Sequence, residues 1–346
     1  MDYSRCQKMS LFIIAEVGIN HNGDLKTAKK MIDEAKKAGV NCVKFQTFRA
    51  EEFVSDSKQT YTYQSQGKEV TESMLEMFKR YEFTKSEWME IIEYCKQQNI
   101  LFSSTAQNKS DLDFLLSLTE LPFIKVGSDD LTNLDLLKYY ASKQKPMIIS
   151  AGMAYADEIE DAISSIREMK NEDITVLHCV SSYPADAKEV NLKKIPMIRD
   201  TFNVKVGFSD HTLGSTAAVG SVCFGAKVIE KHFTLDTTMA GPDHWFSITP
   251  EELKKYVEAI RFIEKAIGNS ELIPTPKELE MRKIARRSIV AEENLEIGDT
   301  LTHENISFKR VSEEDMLPPK EIQNILGKKV KNRIDKNSAI KLKDLV

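Results

Sequence analysis

The stretch FIIAEVGINHNGDLKTAKKMIDEAKKAGVNCVKFQ, residues 12–46, is one strand–helix–strand unit, and its pattern repeats along most of the chain. It begins with the apolar run FIIAE (12–16) and ends with a second run, CVKFQ (42–46). Between the runs, apolar residues recur at helical spacing, at Leu25, Ala28, Met31, Ile32 and Ala35. Gly39 then provides a helix stop. The unit predicts two strands joined by an amphipathic helix.

Six further apolar runs follow, each separated from the next by a segment of helical character. They are ILFSS (100–104), FIKVG (123–127), MIIS (147–150), ITVLHC (174–179), VKVGFS (204–209) and AKVIEKHF (226–233). Eight strands that alternate with helices predict a (β/α)8 TIM barrel, which usually takes about 250 residues. The alternative is a doubly wound parallel sheet.

The pattern divides the chain into regions. We predict a TIM-barrel catalytic domain over residues 1–268, a proline-interrupted polar linker over 269–284 and a small β-rich domain over 285–346. Because the core of the small domain is marginal by itself, we expect this domain to pack against a partner surface. Within the barrel, the insertion 49–83 either overhangs the barrel mouth or is a mobile surface loop.

Composition narrows the class of protein. The chain has 346 residues and a net charge of −5, with 48 basic and 53 acidic residues interspersed, which argues against nucleic acid or a membrane surface as a partner. No apolar run approaches the ~20 residues that span a bilayer, and MDYSRCQKMS lacks the apolar core of a secretion signal, so we expect a cytoplasmic protein. The cysteines form no CxxC pair and are predicted to be small core residues: Cys6, Cys42, Cys95, Cys179 and Cys223.

Polar side chains occur at the ends of nearly all the apolar runs, and the C-terminal strand ends are where TIM barrels carry their active sites. One group of them suits an oxyanion such as phosphate: Lys44, Lys125, Ser128, Ser150 and Gly152. The alternative is that the two lysines pair with Glu16 or Glu230 inside the barrel.

The motifs GFSDHT and EKHFT place His211 and His232 at the ends of the seventh and eighth strands. On adjacent strand ends, two imidazoles would converge and suit a divalent first-row metal that keeps positions open for water and substrate. The alternative is that each histidine is a hydrogen-bonded polar residue without a ligand. His21 and His244, in the first and eighth βα loops, are further candidates to reach the barrel mouth.

Several motifs occur in a specific order along the chain: IIAEVGINHNGDLKTAKKMIDEAKKAG, VKFQTF, KVGSDD, SAGM, HCVSSYP, GFSDHTLG, GAKVIEKHFTLD and GPDH. In this order they resemble the sialic acid synthase family, which comprises N-acetylneuraminate, legionaminate and pseudaminate synthases. The resemblance covers nearly the whole chain, and its C-terminal part resembles the antifreeze-like SAF domain, a β-clip fold. It implies a metal-dependent condensation of phosphoenolpyruvate with an N-acylamino hexose and water. The products would be a nonulosonic acid and phosphate, with C–O cleavage.

The resemblance also implies roles for individual residues. His211 and His232 would hold a divalent metal, manganese in the first place, with magnesium or cobalt as alternatives. The catalytic set would be Glu16, Asp130, His211 and His232. The substrate-binding set would be Lys44, Gln46, Lys125, Ser128, Ser150, Gly152, Ser181, Tyr183, Ser209, Asp243 and Arg310. The resemblance further implies a homodimer in which the SAF domain covers the partner's active site, with Arg310 reaching the barrel mouth.

Departures from the family pattern concern the acceptor sugar. GSDD stands where the family often has GSGE, which passes a carboxylate role to Asp130, and GPDHWFS is bulkier than the expected GPDH-x-AS form. The acceptor that the resemblance implies is N-acetylmannosamine or a related 2,4-diacetamido sugar, and these departures leave the choice between them open. The alternatives are a related phosphoenolpyruvate-dependent synthase that uses a phosphorylated sugar, and a non-catalytic carbohydrate-binding protein.

Overall fold

The computed structural model describes residues 11–56, 58–313 and 315–346. The chain forms two compact units, residues 1–268 and 269–346. Within the described ranges, no helix has the length and apolar character needed to cross a bilayer. The predictions made for Cys6 and for the stretch MDYSRCQKMS lie outside the described residues.

The described residues of the first unit form ten strands. They are β1 (Phe12–Gly18), β2 (Cys42–Thr47), β3 (Thr60–Ser65), β4 (Lys68–Ser73), β5 (Leu101–Ala106), β6 (Ile124–Val126), β7 (Met147–Ser150), β8 (Ile174–Cys179), β9 (Lys205–Asp210) and β10 (Val228–His232). Eight of them close a parallel barrel in the order β1-β10-β9-β8-β7-β6-β5-β2. The TIM-barrel prediction is confirmed, and the open doubly wound sheet is wrong.

Helices surround the barrel strands. They are α1 (Leu25–Ala38), α2 (Ala50–Phe53), α3 (Met74–Lys79), α4 (Lys85–Gln97), α5 (Lys109–Leu118), α6 (Leu134–Ala141), α7 (Ala156–Glu168), α8 (Ala187–Val190), α9 (Lys194–Phe202), α10 (Thr216–Cys223) and α11 (Pro250–Ala266). Helix α1 shows how the sequence sets their limits. The Asp24 side chain accepts a hydrogen bond from the Thr27 amide, and Gly39 ends the helix at φ 87°.

The interior face of each barrel strand changes from apolar to polar along its length. Because side chains alternate on a strand, Phe12, Ile14 and Glu16 of β1 all face the interior. The first two join an apolar cluster inside the barrel, which comprises Phe12, Ile14, Cys42, Phe123, Ile148, Leu177 and Val228. The larger core lies between strands and helices. Polar side chains therefore collect at one end of the barrel, where the strands finish.

The insertion 49–83 is folded. Strands β3 and β4 form an antiparallel hairpin, flanked by the short helices α2 and α3. Gln66 donates a side-chain hydrogen bond to the Thr238 carbonyl at 3.1 Å, and the Gly241 amide donates to Ser65 Oγ at 3.1 Å. The hairpin is thus attached to the loop that follows β10.

The second unit contains α12 (Pro276–Ala285), β11 (Ser288–Ala291), β12 (Ile306–Lys309) and α13 (Ile322–Ile325). Helix α12 occupies much of the segment that was predicted to be a linker, and none of its side chains is buried. Strands β11 and β12 pair antiparallel. The core of this unit comprises Ile289, Ala291, Leu295, Leu301, Ile306, Leu317, Ile325, Val330, Ile334, Ile340 and Leu345. The β-rich domain is confirmed.

The four described cysteines are free thiols. Cys42, Cys95 and Cys179 are buried, as predicted, whereas Cys223 at the end of α10 is exposed and that prediction is wrong.

Candidate active site

A cavity of about 660 Å³ opens at the C-terminal ends of the barrel strands. Every barrel strand contributes to its wall: Glu16, Lys44, Gln46, Thr105, Lys125, Ser150, Cys179, Ser209, Glu230 and His232. The loops after the strands add further predicted site residues, namely Ser128, Ser181, Tyr183, His211 and Asp243. The alternation of side chains along parallel strands thus brings together residues that are far apart in sequence.

Asp130, predicted as a catalytic carboxylate, is not among the residues that line this cavity. Its Oδ1 accepts a hydrogen bond of 3.5 Å from the Asn133 side-chain amide. The preceding residue, Asp129, lines the cavity instead. The two carboxylates lie beyond the end of β6, in a turn where strand alternation no longer applies. The structure therefore favours Asp129 over Asp130 as the carboxylate of this loop.

Gly152 also lies off the cavity wall. The Gly152 amide donates a 3.0 Å hydrogen bond to Ser128 Oγ, and a Cβ at position 152 would stand 2.4 Å from Ser181 Oγ. Glycine therefore lets these two serines approach the backbone behind the cavity. Arg310 is an exposed residue of the second unit, and its placement at a partner's barrel mouth stays a prediction.

A buried cluster of four charged side chains forms the floor of the cavity. Lys44 Nζ lies 2.5 Å from Glu16 Oε2 and 3.6 Å from Glu230 Oε2, and it donates to Thr105 Oγ1 at 3.0 Å. Lys125 Nζ lies 3.8 Å from Glu230 Oε1. The alternative that the lysines pair with buried glutamates is therefore correct for the protein without a bound anion. The same pairing leaves both ammonium groups on the cavity wall.

Hydroxyl groups surround these cations. Lys125 donates to Ser150 Oγ at 2.8 Å, and Ser209 donates to Glu230 Oε1 at 3.0 Å. Two lysines with adjacent hydroxyls offer several donors to an anion that enters from solvent. Such an anion would replace the carboxylates as the partner of the ammonium groups.

The protonation of the cluster follows from burial and charge. Burial raises the pKa of Glu16 to about 7, against the attraction of Lys44. Burial also opposes the ionised form of Glu230, but Lys125 and Lys44 outweigh it and lower the pKa of Glu230. For Lys44, the two carboxylates outweigh burial and raise the pKa, whereas burial lowers the pKa of Lys125. Near neutral pH, Glu230 is thus ionised and Glu16 can gain or lose a proton.

His211 and His232 converge at the ends of β9 and β10, as predicted from their adjacent strands, and His232 lies opposite Glu16 in the register of β10 with β1. Their ring centroids are 5.5 Å apart. His211 Nδ1 donates to the Val180 carbonyl at 2.7 Å, which leaves the lone pair of Nε2 free. His232 Nδ1 is buried and has no hydrogen-bond partner among the described residues. Burial lowers the pKa of both imidazoles, so both are neutral near pH 7.

This arrangement fits a divalent metal. Neutral imidazoles with free lone pairs are common metal ligands, and the orphaned His232 Nδ1 is a buried polar atom that a cation would satisfy. Over the described ranges, no group of three or more His, Cys, Asp or Glu side chains is placed to hold a metal. The fit therefore depends on the two imidazoles.

Aromatic side chains and carboxylates form the outer part of the cavity. Tyr61 and Tyr63 of the β3–β4 hairpin line it from one side, and Trp245 and Phe246 line it from the loop after β10. The Tyr183 ring lies 4.2 Å from the His211 ring and 4.8 Å from the Phe246 ring. The insertion thus overhangs the mouth, and the surface-loop alternative is wrong.

Three carboxylates share this outer wall: Asp129, Asp243 and Glu69. Asp243 Oδ2 lies 4.0 Å from His232 Nδ1, and burial raises the pKa of Asp243 to about 6. Acceptors for sugar hydroxyl and amide groups are therefore present beside the aromatic rings.

His21 and His244 do not line the cavity. His21 is fully buried and stacks on Phe83 with ring centroids 4.3 Å apart, while His244 forms hydrogen bonds with Thr234 and Asn22. Both are structural residues of the first and eighth loops, so the suggestion that they reach the mouth is wrong.

Sequence reasoning missed some wall residues. Glu230 was considered only as a lysine partner, although its spacing of two from His232 indicates that both face the interior. In the same way, the alternation of side chains in β5 indicates that Thr105 faces the interior. No sequence signal indicated that the hairpin would place Tyr61 and Tyr63 over the cavity.

The model of the NeuB family matches residues 31–272, and the SAF domain model matches residues 286–346. The chain belongs to the NeuB family. This confirms the family that the ordered motifs indicated, including its C-terminal SAF domain.

Named relatives of this NeuB-family chain are synthases of sialic-type acids. The chain is 38% identical to the N,N'-diacetyllegionaminic acid synthase of Legionella pneumophila, over 94% of this chain and 92% of that protein. It is 36% identical to the N-acetylneuraminate-9-phosphate synthase of Drosophila melanogaster, over 96% of this chain and 95% of that protein. The products in these two names differ, and one is phosphorylated.

A solved structure resembles the chain in fold and sequence. The N-acetylneuraminic acid synthetase of Leptospira borgpetersenii, solved with citrate, superposes with a TM-score of 0.70 and 35% identity. The match covers 80% of this chain and 92% of that chain.

Proposed function

We propose that this protein condenses phosphoenolpyruvate with an N-acylamino hexose and water to give a nonulosonic acid and phosphate. The observation that carries the proposal is one cavity with two buried ammonium groups on its floor and two neutral imidazoles on its wall. An anionic donor and a carbonyl acceptor can thus lie side by side. The named relatives, which make sialic-type acids, support this assignment.

The floor of the cavity suits phosphoenolpyruvate. Lys44 and Lys125 would bind its phosphate and carboxylate groups as point charges, with donors from Ser150 and Ser209. When phosphoenolpyruvate is held on two strand ends, it is aligned with the sugar, which lowers the entropic cost of a reaction between two molecules.

His211 and His232 would hold the divalent metal, manganese in the first place, with magnesium or cobalt as alternatives. When bound there, the metal supplies Lewis acidity that draws electron density from the aldehyde of the open-chain sugar. The neutral state of both imidazoles provides the lone pairs that this role needs.

Glu16 would manage the protons of the reaction. C3 of phosphoenolpyruvate bonds to the aldehyde carbon, C2 becomes electron-poor, and water adds there. Glu16 accepts the proton that water loses and returns it to the former aldehyde oxygen, which completes the new hydroxyl and restores the ionised carboxylate. The C2 hydroxyl then gives its proton to the departing phosphate while the bond between C2 and the phosphate oxygen breaks, and C2 becomes the keto carbon of the product. Asp129 lines the same cavity and is the second candidate base.

The outer wall favours an acceptor without a phosphate group. Among the described residues that line the cavity, the basic side chains other than histidine are Lys44 and Lys125, and both belong to the floor. The outer wall combines aromatic rings with carboxylates, which bind sugar faces, hydroxyls and amides but repel phosphate. We therefore propose N-acetylmannosamine or a 2,4-diacetamido sugar as the acceptor, rather than a sugar phosphate.

The small domain and the location of the protein complete the proposal. We propose a homodimer in which the SAF domain of one chain covers the barrel mouth of the other, with Arg310 directed into it. A single arginine would face the carboxylates of the outer wall. A cytoplasmic location also stays a prediction.

A panel of reactions tests the function. Metal-stripped full-length protein is mixed with phosphoenolpyruvate, one sugar, and manganese, magnesium, cobalt or no metal. The sugars are N-acetylmannosamine, its 6-phosphate and the diacetamido precursors of legionaminic and pseudaminic acids. Free phosphate and product mass are measured in ¹⁸O-water. We expect a product with one unphosphorylated sugar, and phosphate without ¹⁸O because the C–O bond breaks.

Two results would contradict the proposal. Absence of phosphate release with every sugar and metal would exclude the condensation and favour the non-catalytic alternative. Product from the 6-phosphate alone would overturn the acceptor assignment while leaving the reaction in place. His211→Ala serves as the matched inactive protein, because it keeps the lysine floor.

A further inference from the structure

The two strand ends that carry the histidines are joined on their outer face as well as inside the cavity. Strands β9 and β10 pair in parallel, with Ser209 opposite Glu230 and Asp210 opposite Lys231. Because side chains alternate, the first pair faces the cavity and the second pair faces the surrounding helices. Each histidine thus comes directly after one member of the outer pair.

The outer pair is a buried ion pair. Lys231 Nζ lies 3.3 Å from Asp210 Oδ2, and the two side chains are 2% and 0% exposed. Tyr256 of α11 donates its hydroxyl to the same oxygen at 2.9 Å. The Thr212 amide and hydroxyl donate to Asp210 Oδ1 at 2.9 and 2.7 Å. Both oxygens of Asp210 are therefore held by donors from the barrel, the following turn and a helix.

The same network holds the first histidine from both sides. Asp210 precedes His211 and Thr212 follows it, and Lys231 is bound to both, because its ammonium group also donates to the Thr212 carbonyl. Lys231 itself immediately precedes His232. A shift of one strand end relative to the other would break several of these contacts at once.

A buried ion pair is a costly way to fill space between a barrel and a helix. Removing each ion from water costs several kcal/mol, and well-packed apolar side chains often do as well or better in such places. Its benefit here is geometric. Ligand side chains must be held within about 0.5 Å of the productive geometry, and contacts behind metal ligands typically contribute 10–100-fold to metal affinity.

We propose that Asp210, Lys231 and Tyr256 are positioning residues that set the separation and orientation of His211 and His232 for a divalent cation. This inference rests on the proposed function only in that the histidines bind a metal, and it holds for any acceptor sugar. It assigns a role to charged residues that face away from the cavity.

Metal binding by variants of the full-length protein tests the role. Lys231→Met removes the charge and keeps an apolar side chain of similar length, while Tyr256→Phe removes one hydroxyl. The matched control is Tyr140→Phe, which removes a buried hydroxyl on α6 that donates to the Ala106 and Asn108 carbonyls. For each protein, calorimetry measures the Kd for Mn²⁺ alone, and the visible spectrum of bound Co²⁺ reports ligand geometry.

We expect Lys231→Met to weaken Mn²⁺ binding by about 10–100-fold and to change the Co²⁺ spectrum. Tyr256→Phe should weaken binding by a smaller factor, and Tyr140→Phe should leave both measurements unchanged. A purely structural role would lower the Tm of Lys231→Met without altering the Co²⁺ spectrum. The KM for phosphoenolpyruvate at saturating Mn²⁺ should stay close to that of the wild type, because the lysine floor is intact.

Unchanged Mn²⁺ affinity and Co²⁺ spectrum in folded Lys231→Met would overturn the inference. If that variant does not fold, the same result in Tyr256→Phe would overturn it. Condensation by a wild type that binds no Mn²⁺ would also overturn it while leaving the reaction intact. If the variants bind Mn²⁺ more weakly but the wild type releases no phosphate with any sugar, the proposed function is overturned and this inference stands.

Discussion

Replacing Glu16 with glutamine tests how the cavity floor holds its proton. Burial raises the pKa of Glu16 from 4.5 to about 7, against the attraction of Lys44. Glutamine keeps the size and the carbonyl acceptor of this side chain and resembles the protonated acid at every pH. The variant therefore lacks the ionisation while it preserves most of the packing around Lys44.

The sign of the stability effect follows from the raised pKa. Because the folded protein binds this proton more tightly than the unfolded chain, the stabilisation is fully present below pH 4.5 and is lost as pH rises to about 7. Each tenfold change in proton affinity is worth about 1.4 kcal/mol, so the loss is on the order of 3 kcal/mol. The free energy of unfolding of Glu16→Gln, relative to wild type, should therefore rise by about this amount between pH 4.5 and 7.5.

Urea unfolding at a series of pH values measures this difference. Both tryptophans of the chain, Trp88 and Trp245, lie in the first unit, so their fluorescence reports the barrel. Other titrating groups, such as Asp243, are common to both proteins and cancel in the comparison. A difference that stays constant over the whole pH range would refute the raised pKa.

The same variant tests the proton transfer. In wild type, kcat/KM should rise with pH through an ionisation near 7, since Glu16 must lose its proton to act as a base. In Glu16→Gln this ionisation should disappear and the rate should fall by about 10²–10⁴-fold, the usual contribution of a positioned base. A variant that retains the ionisation near 7 would assign the base to another group, with Asp129 the next to replace.

Two further substitutions test the histidine pair and the lysine floor independently of each other. His232→Ala should abolish measurable binding of Mn²⁺ in calorimetry and reduce condensation by more than 100-fold, since one of two imidazole ligands is lost; activity that survives both this change and a chelator would contradict the metal role. Lys125→Met should raise the KM for phosphoenolpyruvate at least tenfold, because a charge-assisted contact contributes about 1.5–3 kcal/mol, and should leave the Kd for Mn²⁺ unchanged; an unaltered KM would contradict the placement of the donor on the floor.

Much of the barrel and its floor could be predicted from the sequence. Short apolar runs mark the strands because barrel strands are buried on both faces. A charged residue inside such a run, such as Lys44 or Lys125, is unusual enough to indicate a functional interior. The convergence of His211 and His232 followed from their positions on adjacent strands.

Prediction failed where alternation does not apply. Asp129 and Asp130 lie in a turn after β6, and adjacent residues in a turn cannot be assigned to inside or outside by counting. The sequence also did not predict that part of the linker segment forms helix α12, because prolines interrupt that segment. Pro276, however, stands in the first turn, where proline is well tolerated, and Thr275 and Glu278 form a capping box. With no buried side chain, this helix has no core-facing apolar stripe to reveal it.

The hairpin β3–β4 could be located as an insertion but not described from the sequence. Most of its residues are exposed on both faces, so the strands lack the alternation of a half-buried sheet. The hairpin is held in place instead by contacts with the loop after β10, which lies about 170 residues further along the chain.

The floor and the outer wall of the cavity come from different parts of the chain, and this difference has an evolutionary consequence. The charged floor belongs to strands whose replacement would disturb the barrel, whereas much of the outer wall belongs to the hairpin and to the loop after β10, which are joined through Ser65 and Gln66. Mutations in these two surface segments can change the shape offered to a sugar without altering the groups that bind the donor. Descendants of such a scaffold can therefore come to accept different acceptors while inheriting one unchanged bond-forming step.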